Sequence, residues 1–362
     1  MPLTEEEIRL LPDLTGVRLA CSIHLEPKVG PSLEGLRDHG ASLFLTTCNP
    51  ATVRDELVER LRSLGAEARA WHGMSGPEAR EAERLAWEWK PTHLWEMGAS
   101  LVGSQPPGNG AAVIAGMECT GSGIARLRAL VDQGIPPRFP VFNCDEVPIK
   151  EGLHNRYLVG FTAWHTFTDR TRLGLHGKRV LVVGYGPVGR GVALTARALG
   201  GDVDVAERDP ARALEARYDG FTAGPLEELA GRADVLVTAT GARGVVSARV
   251  LGLLPDGCFL MNVGHNNDEI DVAALGPLRQ VIPFVEEARV QGKALFLVAH
   301  GTMANLAAGQ GDTLNSFDIT MATMLAGVRF TLSEEARTWR PGLHVLPRSA
   351  WEGVATRAAA SR

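Results

Sequence analysis

From residue 17 onward, apolar runs alternate with amphipathic stretches. Val17 to Ile23 reads as a strand, Pro31 to His39 as a helix closed by Gly40, and Ala41 to Thr46 as a second strand ending at Thr47-Cys48-Asn49. Short apolar runs without polar alternation belong to strands covered on both faces. Ala51 to Leu64 carries apolar residues at helical spacing. Ala66 to Trp71 reads as a strand, Gly76 to Glu88 as a helix, and Thr92 to Glu96 and Ala111 to Ala115 as further strands. Gly116 to Gly123 reads as a polar loop and Ile124 to Gln133 as a helix. A proline-rich break, Pro136 to Pro140, precedes Val141-Phe142-Asn143. This βαβα order predicts a parallel sheet with flanking helices.

Residues 155 to 175 read as a long helix leading into a second α/β pattern. Val180 to Val183 is a β-branched strand that runs into Gly184-Tyr185-Gly186-Pro187-Val188-Gly189. A helix through Leu199 and a strand from Asp202 to Ala206 follow, and the strand ends on Glu207. Each part suits a dinucleotide. Gly184 allows a tight turn, Gly186 lets a pyrophosphate approach the backbone, and Gly189 lets helix and strand pack closely. The helix start at Pro187 and Val188 offers unpaired N–H groups and the positive end of a dipole. Glu207 is placed to hold a ribose diol, which favours NAD, and Arg208 leaves some room for NADP. Further strands, Val235 to Thr240, Cys258 to Val263 and Ala294 to Ala299, end in Gly plus a polar residue, as at a binding crevice. From Ser316 to Leu332 the pattern is helical again, and the Ala/Arg-rich segment from Arg348 is expected to fray.

Composition narrows the class. The 362 residues allow two domains, and 45% hydrophobic with 22% charged residues describes a soluble globular chain. A net charge of −5 argues against nucleic acid or an acidic membrane as the main partner. No run approaches the length of a membrane span, and the acidic start MPLTEEEIRLLPDL lacks a signal pattern. The five cysteines are scattered with no CxxC pair, so neither a disulfide framework nor a metal site is expected, and a reducing cytoplasm is.

Several strings together resemble the S-adenosylhomocysteine hydrolase (adenosylhomocysteinase) family. They are Gly184-Tyr185-Gly186 with Val188-Gly189, Glu207 with Asp209-Pro210, Thr238-Ala239-Thr240-Gly241, Asn262-Val263-Gly264-His265, Glu269-Ile270-Asp271-Val272 and Asn315-Ser316-Phe317. Ile23-His24, Cys48-Asn49 and Lys150 with Asn155 and Tyr157 fall in matching order. The similarity spans residues 15 to 347, dense in the cofactor part and sparse elsewhere.

The resemblance implies an α/β fold of two doubly wound parallel-sheet domains. These are a discontinuous substrate domain, 1–155 with 314–347, and a central Rossmann NAD-binding domain, 156–313, followed by a flexible tail, 348–362. It implies that a ribosyl 3′-hydroxyl is oxidised with tightly held NAD, which acidifies the 4′ hydrogen. A base removes that hydrogen, the 5′ thioether is eliminated, water adds, and the ketone is reduced again. By the same resemblance Lys150 is the base at the hydroxyl and Asn155 its partner. His24 serves proton transfer near C4′ and C5′, and His265 lies between nicotinamide and substrate. Asn305 contacts the nicotinamide amide. Thr240 with Gly241, Val263 and Gly264 line the cofactor, and Thr120 and Ser122 reach it from the other domain.

The departures point to an altered substrate pocket. Where the family reads adenine with a threonine and a glutamate, this chain has Glu26 and Lys28. An ammonium cannot accept a hydrogen bond from an amino group. The family's aspartate before Asn155 becomes His154, and its late histidine becomes Asp312 in Gln310-Gly311-Asp312. Its two acidic loops become Glu96-Met97-Gly98-Ala99 and Glu118-Cys119-Thr120, so Glu96 and Glu118 are the carboxylates left as candidates. With Asn49 these positions make up the expected substrate surface. The family's long C-terminal tail has no counterpart in these residues, so a homodimer is as expected as a homotetramer. The expected activity is thioether hydrolysis on S-adenosylhomocysteine or a related nucleoside. The alternative is a redox-neutral epimerase or lyase, or a plain NAD-dependent dehydrogenase, on a more polar nucleoside or sugar. A catalytically silent NAD-binding regulator is opposed by the retention of Lys150, Asn155, His24 and His265.

Overall fold

The computed structural model describes residues 1–106 and 113–360. The chain divides into two compact units, Met1–Lys150 with Leu314–Arg362, and Glu151–Thr313. The crossing therefore falls after Lys150 rather than after 155.

The first unit holds β1 (Arg18–Ile23), β2 (Ser42–Thr47), β3 (Glu67–Ala68), β4 (His93–Glu96), β5 (Ala115–Glu118) and β6 (Pro140–Asn143), with a late strand at Gly342–Val345. They form one parallel sheet in the order late strand, β6, β5, β4, β1, β2, β3. Successive side chains of β1 serve opposite layers: Leu19, Cys21 and Ile23 pack with Leu33, Phe317 and Met321, while Ala20 packs with Phe44, Trp87 and Ile124. Sequence order runs outward in both directions from the β1/β4 junction, which makes that junction the topological switch point of the sheet.

Three expectations shift here. The fifth apolar run lies later than read: Ala115–Glu118 is the strand, so Gly116 to Glu118 is not loop, and residues 111 and 112 of the expected run lie outside the described residues. The third strand shrinks to Glu67–Ala68 at the sheet edge, and Ala51 to Leu64 splits into a turn at Pro50–Thr52 and a helix at Asp55–Ser63. The segment expected to fray forms a helix, Arg348–Ala360. Alanine is the strongest helix former, and Val354 packs with Ala322 and Ala326 while Arg357 pairs with Glu6 and Glu7.

The second unit holds β7 (Arg179–Val183), β8 (Asp202–Ala206), β9 (Thr222–Gly224), β10 (Val235–Thr238), β11 (Cys258–Asn262), β12 (Arg279–Ile282), β13 (Val285–Val290) and β14 (Lys293–Val298). The late strand of the first unit is β15. The sheet order is β12-β13-β14-β11-β10-β7-β8-β9, and the switch point is β7/β10. From β14 to β9 the strands are parallel, but β12, β13 and β14 pair antiparallel, so this sheet is mixed rather than wholly parallel. The β13–β14 turn is Gln291-Gly292, both at positive φ, the geometry of a two-residue hairpin. Val180 and Val182 pack with Trp164, Phe167 and Val192, whereas Leu181 and Val183 pack with Leu251, Leu254 and Leu275. The helix feeding β7 starts earlier than read. Lys150–Leu158 winds as a π-helix and continues as an α-helix over Val159–Thr171. It crosses Pro187–Ala198 at two glycines: a Cβ on Gly191 would lie 1.9 Å from Arg156 O, and one on Gly160 2.4 Å from Gly191 O.

Candidate active site

In the first unit the candidate residues fall at the carboxyl ends of neighbouring strands. His24 follows β1, Asn49 follows β2, Glu96 and Glu118 end β4 and β5, and Asp145 and Lys150 follow β6. Glu96 and Glu118 stand directly opposite in the β4–β5 register. In such sheets this edge, at the switch point, is where ligands bind.

His24 is buried, and its Nδ1 lies 2.8 Å from Thr52 Oγ1. Thr52 donates its one hydroxyl hydrogen to Asn49 O at 2.8 Å, so Nδ1 is the donor in the His24 contact. Asn49 accepts from Ala51 N at 3.1 Å and caps the turn that holds Thr52. Lys150, expected as a base, is only 5% exposed, and its Nζ is 3.9 Å from Asp145 Oδ1. Asp145 escaped the sequence reading; its one signal was proximity to Lys150.

The two glutamates are each 1% exposed, and both carboxylates are turned onto backbone. Gly98 N and Ala99 N donate to Glu118 at 2.9 and 2.7 Å, and Thr120 donates to it from N at 2.8 Å and from Oγ1 at 2.7 Å. Leu101 N and Val102 N donate to Glu96 at 2.6 and 3.1 Å. Burial, and next the like charge of Glu118, push the Glu96 carboxyl up to about 8, and burial also raises Glu118. Thr120 Oγ1 also accepts from Gly123 N at 3.1 Å and lies 3.3 Å from Ser122 Oγ, so this hydroxyl caps the helix Gly121–Asp132. Glu26 and Lys28 form a buried ion pair at 2.9 Å, and the Lys28 ammonium is 5.3 Å from the centre of the Phe317 ring.

In the second unit the glycine turn follows β7. A Cβ on Gly189 would lie 1.9 Å from Gly184 O, and one on Gly184 2.9 Å from both Ala239 O and Thr240 Cγ2. Gly186 stands as the N-cap of the helix Pro187–Ala198, whose first residues are Pro187 and Val188. Glu207 accepts from Tyr185 N at 2.6 Å and Asp209 N at 2.9 Å, which fixes its carboxylate beside the turn, while Arg208 is exposed. Thr240 and Gly241 are held by Glu269, which the sequence reading quoted but did not place in the site. Its carboxylate accepts from Thr240 N, Thr240 Oγ1 and Gly241 N at 2.9, 2.6 and 2.7 Å. Asn262 fixes the next turn, accepting from Thr238 Oγ1 and Gly264 N, so Val263 and Gly264 leave β11 in a set direction. His265 follows, and desolvation pushes its imidazole down to about 4. Asn305 is buried, and its Oδ1 accepts no hydrogen bond among the described residues. A glycine cradle, a fixed acid and a buried unsatisfied carboxamide oxygen fit NAD. They would hold its pyrophosphate, its ribose diol and its amide N–H. His154 Nε2 is 2.7 Å from Asp312 Oδ2, its Nδ1 is 3.1 Å from Asn155 Oδ1, and Gln310 is exposed.

A family model described as "S-adenosyl-L-homocysteine hydrolase, NAD binding domain" matches residues 164–311. The chain is 33% identical over 351 residues to S-inosyl-L-homocysteine hydrolase of Methanopyrus kandleri, covering 94% of this chain and 82% of that one. The chain belongs to the adenosylhomocysteinase family. It is an NAD-dependent enzyme of this type. The adenosylhomocysteinase of Aeropyrum pernix is 35% identical over 332 residues, 90% of this chain and 80% of its own. That of Thermotoga maritima is 34% identical over 361 residues, 98% of this chain and 89% of its own. Among the described residues no helix is long and apolar enough to cross a membrane.

Proposed function

We propose that this member of the adenosylhomocysteinase family hydrolyses a nucleoside 5′-thioether, S-adenosylhomocysteine or S-inosylhomocysteine, by transient oxidation at the ribosyl 3′-hydroxyl. The observation that carries the reading is the burial of Lys150 beside Asp145. An amine is taken out of water at a sheet edge only where a partner or a reaction requires it. NAD, when bound, supplies the reversible oxidation. Lys150 Nζ takes and returns the proton of the 3′-hydroxyl. His24, held through Thr52, moves protons at C4′ and at the leaving sulfur. Glu96 and Glu118 act as positioning residues, since their oxygens hold the loops after β4 and β5. Thr120 is set by Glu118, and Ser122 lies beside it. His265 and Asn305 serve the nicotinamide end of the cofactor, and Asn305 orients its amide. Glu26, Lys28 and Asn49 face the base.

The curated relatives carry two names that differ in the purine, at similar identity. The test is to load the purified enzyme with NAD and offer each thioether in turn. Near-ultraviolet absorbance reports reduced nicotinamide and a thiol reagent reports homocysteine. Signal with thiol release supports hydrolysis, and the better substrate names the base. Signal with some other nucleoside or sugar and no thiol release would establish the second reading, an epimerase, lyase or dehydrogenase on a more polar substrate. The buried Glu26–Lys28 pair favours that reading, because a charged pocket wall suits a polar ligand. We place the enzyme in the cytoplasm as a homodimer or homotetramer. Its five cysteines, all free thiols, support the first of these.

A further inference from the structure

We infer that Asp312, His154 and Asn155 act as one positioning unit, in which the carboxylate fixes the imidazole and the imidazole fixes the carboxamide. Its catalytic consequence rests on the proposed function; its geometry does not. His154 Nε2 is 2.7 Å from Asp312 Oδ2, and Nδ1 is 3.1 Å from Asn155 Oδ1. The side chains of His154 and Asp312 are 11% and 8% exposed. The carboxylate accepts from one ring nitrogen and the other ring nitrogen meets the carboxamide, so both nitrogens of His154 are engaged by side chains of this unit. That arrangement removes His154 from the general bases and makes Asp312 its anchor rather than a substrate ligand. Both had been expected from the sequence to meet the substrate directly.

The placement adds a second reason. His154 and Asp312 are 158 residues apart in the chain. Yet His154 lies just beyond the crossing after Lys150, and Asp312 just before the crossing after Thr313. A charge-assisted hydrogen bond therefore joins the two crossing segments on the second unit's side. Asn155 is the next residue of the same π-helix, a local form that recurs at functional sites. A carboxamide turns over at little cost unless something holds it, and a flip exchanges donor for acceptor. The imidazole contact holds the Asn155 carboxamide in one orientation.

The test uses the full chain loaded with NAD and three variants: Asp312→Asn, Asp312→Glu and the exchange His154→Asp with Asp312→His. Side-chain nitrogen spectra of His154 are expected to show the Nε2 hydrogen held in the bond to Asp312. Asp312→Asn is expected to lose that signature and about 10–100-fold in kcat, with KM changed by less than about twofold. Asp312→Glu is expected to recover most of both. The exchange restores a carboxylate–imidazole contact with the aspartate and histidine in the order that the family carries, so it is expected to recover both the thermal midpoint lost in Asp312→Asn and kcat. A wild-type ring with its lone pair on Nε2 would overturn the inference. So would an Asp312→Asn variant that loses stability and keeps kcat, which is the behaviour of a plain structural clasp. If neither thioether is turned over by the wild type, the proposed function fails, and the nitrogen spectra with the thermal series still decide the triad. If Asp312→Asn does not fold, the wild-type spectrum and Asp312→Glu carry the decision.

Discussion

Glu96 keeps a proton in the folded chain up to about pH 8, because burial and Glu118 both oppose its charge. An unfolded Glu96 gives up that proton near its ordinary value of 4.5. Between those values the folded state binds more protons, so this group's contribution to stability is full below the lower value and is lost as pH rises through the upper. His93 works in the opposite sense. Burial pushes it down to about 4 from 6.5, so its effect is confined to acid, below about 6.5. The window from 6.5 to 8 therefore isolates the buried carboxyls. The thermal midpoint is expected to fall across it, and Glu96→Gln is expected to flatten that fall; a slope unchanged in the variant would show that Glu96 is not the group. At the same scale, Lys150→Met removes the proposed proton acceptor. It is expected to lower kcat by about 10²–10⁴-fold while leaving bound NAD in place, read by turnover and by cofactor content after gel filtration.

At the scale of elements, the second unit is held by close backbone approach. The helix Val159–Thr171 with its π-helical start lies against Pro187–Ala198, and Trp164 Nε1 donates to Val192 O at 2.8 Å. Gly191→Ala would put a methyl 1.9 Å from Arg156 O, an atom that cannot move without shifting the helix. A loss of about 2–4 kcal/mol is expected, measured by urea unfolding. The glycine turn of residues 184–189 was legible because its strand, turn, helix and acid lie consecutively in the chain. The β12–β13 strands were not. β12 is exposed throughout, and the apolar run of residues 281–285 is broken by Pro283 where the two strands meet, so it does not read as two paired strands. The signal was Gln291-Gly292, a weaker hairpin dipeptide than Asn-Gly.

Across the whole molecule, each unit has its own sheet and its own core. The glycine turn and Glu207, proposed to hold NAD, all lie in the second unit, so added NAD is expected to raise that unit's unfolding midpoint in calorimetry. At a hundredfold excess over Kd the gain is about 2.7 kcal/mol. Glu207→Ala is expected to abolish most of this shift; an undiminished shift in the variant would place the ribose elsewhere.

The linear sequence determined what depends on neighbours along the chain. The buried strands, the βα order, the NAD turn and the resemblance through Lys150, His24 and His265 all rest on local spacing. It misjudged the Arg348–Ala360 segment, because docking against Ala322 and Ala326 was not visible locally. Only the tertiary structure decided the state of the polar groups. Glu96 and Glu118 became buried loop anchors, Glu269 became the clamp on Thr240 and Gly241, and Thr52 set the donor nitrogen of His24. His154 and Asp312 became each other's partner across the chain. The physical reason is that strand and helix patterns follow short periods in the chain. The charge and hydrogen bonding of a side chain instead follow from whichever groups folding brings within about 3 Å of it.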